Sequence, residues 1–292
     1  MIDAKNKKQY IIDTYKDDER IVSLMALYNG DQKYPNLTGF DMMILIVTDQ
    51  QRYAGAIYHY IEDGLHVQER WVSSDDLQSW LFDCEKRQVI QWIFDGDILI
   101  DRTGYLKALR DRLIEFDEEL RGQKLLKEFS LFLSTYSRSK EYLKQGYLLD
   151  AYSQILAALH HWARITVIEA GTHPEVIVWK QVHKINPGVY KLYDELTHSE
   201  ETLEQRIQLL ALACEFAVMS KMKECCGLLI KIMKSREGSW SVKELAEHPL
   251  IRDMRVDLSL VLKKLVAKSI VKEVFVTEDA KLNKIELQYC AV

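Results

Sequence analysis

Tyr28-Asn29-Gly30, followed after a polar loop by Leu37-Thr38-Gly39-Phe40-Asp41-Met42-Met43-Ile44-Leu45-Ile46-Val47, is the stretch on which the reading of this chain turns. A glycine turn leads into an apolar run that opens with one carboxylate. After its opening acid, the run Asp41 to Val47 is apolar at odd and even positions alike and stops at Thr48-Asp49-Gln50, which predicts an interior strand buried on both faces. Two residues after Asp41 the chain places Met43.

That spacing matters because a divalent metal held against a triphosphate takes carboxylates at alternate positions of one strand. Period two puts both on the same face. Asp41 is such an acid, but a thioether at Met43 is a poor ligand for a hard cation. Leu65-His66-Val67-Gln68-Glu69-Arg70-Trp71-Val72 alternates and predicts a second strand, with Leu65, Val67, Glu69 and Trp71 on one face. Glu69 stands where a neighbouring strand would bring a third acid. Gly30 supplies a turn whose backbone N–H groups can hold phosphate oxygens, with Asp31 and Thr38 as loop contributors. The alternative is structural: Asp41 caps a strand or closes a turn, and Glu69 faces solvent from a half-buried strand.

Outward from this core, residues 12–27 read as a first helix carrying Ile21, Leu24 and Leu27. Residues 54–61 form a strand or a crossing segment. A helix from residue 75 is capped by Ser73 or Ser74, 97–101 is a short apolar element, and helix resumes at Tyr105. Residues 106–233 are almost wholly helical, with Leu125, Phe129, Phe132, Leu133 and Tyr136 at helical spacing. Breaks fall at Gly146, 171–174 and 186–188, and 209–232 reads as one long final helix. Short loops between such helices predict an antiparallel bundle. From residue 235 the texture changes. Ser241 with Glu244 makes a capping box, a second helix runs from 254 or 257 to 268, and two alternating runs around a polar turn predict a hairpin. That is a winged-helix outline. The fold class is α+β in three regions: 1–115 with a mixed sheet, 116–234 helical, and 235–292 winged helix-turn-helix.

The chain has 292 residues, 48% of them hydrophobic and 28% charged, which suits an ordinary folded protein of two or three domains. A net charge of -5 argues against nucleic acid covering the whole surface and leaves room for a local basic patch. Arg252, Arg255, Lys263, Lys264 and Lys268 lie near the second helix of the C-terminal module, with Lys272, Lys281 and Lys284 near its wing. Asp253, Asp257, Glu273, Glu278, Asp279 and Glu286 oppose them. The module could touch DNA or a protein partner. Five cysteines without a C-x-x-C pair, no signal segment and no membrane-length apolar run predict a cytoplasmic protein without a membrane partner. His160 and Arg164, four apart on one helix, could meet a substrate or simply pack. His173, His183 and His198 lack zinc-site spacing.

The order Asn29-Gly30, a loop, then Thr38-Gly39-Phe40-Asp41-Met42-Met43-Ile44-Leu45 resembles the nucleotidyltransferase superfamily, in the flavour of the kanamycin nucleotidyltransferase type. The whole chain is similar to a group of bacillar nucleotidyltransferase-like proteins. These join such a domain to a helical substrate-binding-type domain and a C-terminal helix-turn-helix. The resemblance implies that Asp41 matches the first metal-binding acid and Glu69 the third, with Met43 in place of the second. The turn aligns two ways. Asn29 takes the family's glycine place and Gly30 its serine place, or Gly30 is the glycine and Asp31 takes the serine place. The serine is missing in both. Magnesium and a nucleoside triphosphate are the implied cofactors, with Asn29, Gly30, Asp31 and Thr38 around the nucleotide. The implied reaction transfers a nucleoside monophosphate to a hydroxyl of a small-molecule acceptor. The alternative is a catalytically inactive regulatory or adaptor protein whose winged helix binds DNA or a protein.

Overall fold

The computed structural model describes residues 4–29, 37, 39–82, 86, 88–279 and 284–292. The chain divides into two units, Met1–Glu115 and Phe116–Val292. The architecture is α+β, with an N-terminal mixed sheet and helices, a helical region and a C-terminal winged helix.

In the first unit, α1 (Ala4–Tyr15) precedes β1 (Ser23–Tyr28), β2 (Met42–Thr48), β3 (Ile57–Glu62) and β4 (Leu65–Ser73). Then come α2 (Ser74–Trp80), α3 (Gln88–Asp95), β5 (Asp97–Asp101) and α4 (Tyr105–Glu115). The strands form one sheet in the order β3-β4-β2-β1-β5. β2 runs parallel to β4, and the other neighbours are antiparallel. All seven residues of β2 are buried, as an apolar run with no polar alternation requires.

The helix expected over 12–27 is corrected. Helix ends at Tyr15, and Ile21, Leu24 and Leu27 belong to β1 or its approach. β1 lies between β2 and β5 and buries both faces, so its apolar residues imitate helical spacing without helical structure. β3 and β4 are joined by Asp63-Gly64, both at positive φ, the geometry a two-residue hairpin loop demands. The Ser73 side chain caps α2 and Asp76 returns the bond, a complete capping box.

The second unit holds α5 (Glu118–Lys144), α6 (Leu148–Glu169), α7 (Val178–Ile185), α8 (Pro187–His198) and α9 (Leu203–Cys225). α10 (Gly227–Met233), α11 (Val242–Glu247), α12 (Leu258–Ala267) and the hairpin β6 (Val271–Asp279) and β7 (Lys284–Ala291) follow. The single helix expected over 209–232 is two. It begins earlier, at Leu203, and breaks at Cys226, which ends α9 and precedes α10, with Gly227, a weak helix former, next in the chain. Inside the bundle, Glu128 of α5 accepts from Arg164 Nε at 2.9 Å and lies 2.7 Å from His161 Nδ1.

α10, the Trp240–Tyr289 bridge, α11, α12 and the β6–β7 hairpin complete a winged helix. The expected Ser241–Glu244 capping box is present, and Asp257 caps α12. α5 seats the module. Gln123 Nε2 donates to the Leu250 carbonyl at 3.0 Å, Lys127 Nζ to the Arg255 carbonyl at 3.0 Å, and Asp257 N to Ser130 Oγ at 3.1 Å. Among the described residues, no helix is long and apolar enough to cross a membrane.

Candidate functional site at the start of β2

Register decides which side chains can meet. β2 and β4 pair Met42 with Val67, Met43 with Gln68, Ile44 with Glu69 and Leu45 with Arg70. Alternation therefore splits them between two faces. One carries Met42, Ile44, Ile46, Val67 and Trp71, packed with Leu24 and Ala26 of β1 and Ile11 of α1. Glu69 shares that face. The other face carries Met43, Leu45, Gln68 and Arg70. Asp41 sits one residue before β2, level with His66. Its offset of three from Ile44 separates it from Glu69 by a full change of face.

Asp41 and Glu69 are thus not brought together. Asp41 is exposed, and its carboxylate accepts the His66 backbone N–H at 2.8 Å, with His66 Nδ1 3.4 Å away. That N–H holds the Asp41 carboxyl below its usual range, helped by the His66 ring and by Lys7. Its backbone closes the same corner, with Asp41 N on the His66 carbonyl and Asn29 N on the Asp41 carbonyl. The side chain fastens the mouth of the β2–β4 pair.

Glu69 is buried at 8% exposure and spoken for. Tyr15 of α1 and Tyr60 of β3 both donate to its Oε2, and Trp71 Nε1 donates to Oε1. Burial first, then the bond to Glu69, drives the Tyr15 phenol far above its ordinary value. Burial pushes Tyr60 up to about 12. Both phenols stay protonated donors at any physiological pH. This carboxylate is the centre of a structural knot rather than an open metal ligand.

On the Asp41 face, His59 of β3 stands across from Gln68 of β4, and Arg70 follows two residues further along β4. Gln68 Nε2 lies 3.1 Å from His59 Nε2, and Arg70 Nε donates to Gln68 Oε1 at 2.6 Å. The Phe40 ring lies 4.6 Å from the His59 ring, and the Arg70 guanidinium 5.9 Å from the Trp92 ring centre. Arg70 is half-buried, and burial lowers its pKa. Gln68 lies directly across from Met43, so the two places where further acids would join Asp41 hold a thioether and an amide, with a guanidinium beside them. Magnesium needs hard oxygen ligands in near-octahedral array. This donor set does not fit it. Among the described residues, no group of three or more His, Cys, Asp or Glu is placed to hold a metal ion.

Asn29 Nδ2 donates to the Leu37 and Phe40 carbonyls at 3.2 and 3.1 Å, tying the ends of the loop between β1 and β2. Gly39 in that corner has φ +89, open to glycine at little cost. Gly30, Asp31 and Thr38 lie outside the described residues. The sequence reading passed over Gln68 and Arg70. Their alternation with Glu69 was visible, but which parity faces Asp41 depends on strand register.

His160 and Arg164 part company. Arg164 is buried with Glu128 and His161, while His160 accepts from Trp179 Nε1 at 3.4 Å in an aromatic cluster with Tyr193. Both serve packing inside the helical region. Cys214, Cys225 and Cys226 are buried thiols and Cys290 is partly exposed; Cys84 lies outside the described residues. Burial pushes the Cys214 thiol up to about 12, in keeping with a small apolar side chain.

Comparison with known proteins agrees with this architecture region by region. Residues 4–121 match the nucleotidyltransferase-like family, 122–221 the YgxA-like substrate binding domain, and 228–289 a helix-turn-helix domain. A crystal structure of a nucleotidyltransferase-like protein from Exiguobacterium sibiricum 255-15 is similar over 99% of both chains, with TM-score 0.87 and 29% identity. The Bacillus subtilis (strain 168) protein YgxA is 35% identical over 232 residues, covering 80% of this chain and 79% of that protein. The chain therefore belongs to the YgxA family of nucleotidyltransferase-like proteins.

Proposed function

We propose that this protein is a non-catalytic nucleotidyltransferase-like regulator that acts by binding DNA through its winged helix. One observation carries the reading. On the face that Asp41 shares stand Met43, Gln68 and Arg70, while the other candidate acid of the sheet, Glu69, is bound by Tyr15, Tyr60 and Trp71 on the opposite face. A kanamycin nucleotidyltransferase type of ancestry fits this sheet as a scaffold whose metal ligands have been replaced. A reducing, cytoplasmic setting suits its buried free thiols.

The DNA half of the reading rests on α12. Its inner side packs Leu258, Val261, Leu262 and Leu265, and its outer side exposes Ser259, Lys263 and Ala267 at one-turn spacing. Exposed Arg255, Lys268 and Lys272 flank it, with Asp253, Asp257 and Glu273 nearby. Basic side chains on phosphates with a helix in the major groove are the usual docking of such a module. With acids interspersed, only a few phosphates would be neutralised, so binding should be modest and steeply weakened by salt.

Two measurements test this. Incubation with magnesium and each nucleoside triphosphate should release no pyrophosphate; turnover that disappears in Asp41→Ala would overturn the non-catalytic reading. Duplex DNA should be retained at low salt, and Lys263→Ala should weaken binding on all sequences alike and reduce the salt slope by about one. Absence of retention at low salt would remove DNA and leave a protein partner for the winged helix.

A further inference from the structure

Within the second unit, α5 and α10 line a cavity of 520 Å³, a volume in the range of small-molecule sites. α5 contributes Glu118, Arg121, Gly122 and Leu125, whose spacing of three and four puts them on one side of that helix. The end of α9 contributes Glu224, and α10 contributes Gly227, Leu228, Lys231 and Ile232. Glu169 of α6, with His248 and Leu250 from the chain just after α11, borders the remaining sides. The floor is apolar, with Leu125, Leu228 and Ile232 all buried. Two glycines shape it. A Cβ on Gly122 would stand 3.3 Å from Leu228 Cβ, so α5 and α10 approach closely there. A Cβ on Gly227 would meet nothing within 4 Å, so the space over it is open.

The polar groups on the wall divide into those already engaged and those left open. Lys221 Nζ donates to both Glu169 oxygens, at 2.8 and 2.6 Å, and Glu119 is engaged as well. His248 Nδ1 accepts the Leu250 N–H at 3.2 Å. Among the described residues, the side chains of Glu118, Arg121, Glu224 and Lys231 make no hydrogen bond or ion pair. Two carboxylates and two cations thus stand unpaired around an apolar floor. A ligand that carries both charges and an apolar body answers all three. We propose that this cavity binds an apolar α-amino acid. Its ammonium meets Glu118 and Glu224, its carboxylate meets Arg121 and Lys231, and its side chain lies on Leu125, Leu228 and Ile232. A ligand of several negative charges, such as a nucleotide, would instead face the carboxylates of Glu118, Glu119, Glu169 and Glu224 with only Arg121 and Lys231 to hold it. The site does not depend on whether the winged helix binds DNA.

Calorimetric titration of the full chain with L-leucine and L-phenylalanine tests it. At least one should bind with Kd below about 1 mM. Phenylalanine should bind about tenfold or more tighter than phenethylamine, which lacks the carboxylate, or 3-phenylpropanoate, which lacks the ammonium, since each loses a charge-assisted bond. Arg121→Gln should bring phenylalanine towards the affinity of phenethylamine, and Glu224→Gln towards that of 3-phenylpropanoate. A purely structural role for either residue would weaken all three compounds alike. Gly227→Leu, which puts a side chain into the open space, should abolish binding while circular dichroism and thermal unfolding show the fold kept. No binding of either amino acid at millimolar concentration overturns the proposal. So does phenylalanine binding no tighter than its one-charge analogues, or binding that survives Gly227→Leu unchanged.

Discussion

Asp41, Met43, Gln68 and Glu69 were four positions of a strand pair with two acids among them, and their roles diverge by parity alone. Glu69 receives three donors in a buried place, so Glu69→Ala leaves Tyr15, Tyr60 and Trp71 polar atoms without their acceptor. The expected cost is about 1–3 kcal/mol in urea unfolding, the penalty for stranding buried donors. Asp41→Ala, at an exposed strand mouth, should shift the same curve less. Glu128 is the residue-scale pH sensor. Burial pushes its carboxyl up, but the Arg164 charge and the His161 bond outweigh it and bring it down to about 2. Between that value and the ordinary 4.5, the unfolded chain binds the proton that the folded protein refuses. This contribution is therefore complete above pH 4.5 and is lost as pH falls towards 2. Glu128→Gln should remove that acid dependence. It should also lower stability at neutral pH by about 3–5 kcal/mol, because the Arg164 charge stays buried without its counter-ion. Denaturant midpoints at pH 6 and pH 3 for both proteins check the sign.

At the scale of elements, the readable parts were those with local causes. The Ser73 cap, the Ser241–Glu244 capping box and the interior character of β2 follow from residues close to one another along the chain. β1 was misread because a strand buried on both sides has no alternation to display, and Ile21, Leu24 and Leu27 fell at helical intervals by chance. α9 and α10 were merged because the apolar pattern continues across a break that tertiary packing exploits. Gly96 shows what pattern reading passes over. It joins α3 to β5, and a Cβ there would stand 2.5 Å from Met25 Cε and 2.8 Å from the Trp92 carbonyl oxygen. Arg110 of α4 donates to its carbonyl and to that of Ile93, holding the corner in place. Gly96→Ala should cost about 1–3 kcal/mol, the range for overpacking a close-fitted core. Thermal unfolding of the variant, with Gly104→Ala as a positive-φ control in open space, separates crowding from backbone strain.

For the whole molecule, the succession of textures along the chain was enough to name its parts: a strand-rich beginning, a helical middle, a capped helix pair and a hairpin at the end. The α+β class and the winged helix stood in the sequence because amphipathic periods and turn residues are local quantities that add along the chain. The packing of the winged helix on α5 did not stand there, since the bonds from Gln123, Lys127 and Ser130 reach across more than 120 residues of separation. Nor did the outcome at the candidate site. By itself the sequence determined that one acid opens β2 and that a methionine follows where a second would be needed. Only the tertiary structure decided that Glu69 faces away from Asp41 and that Gln68 and Arg70 face with it. Strand register is set by pairing between distant segments, and a shift of one residue exchanges every side chain between the two faces of a sheet.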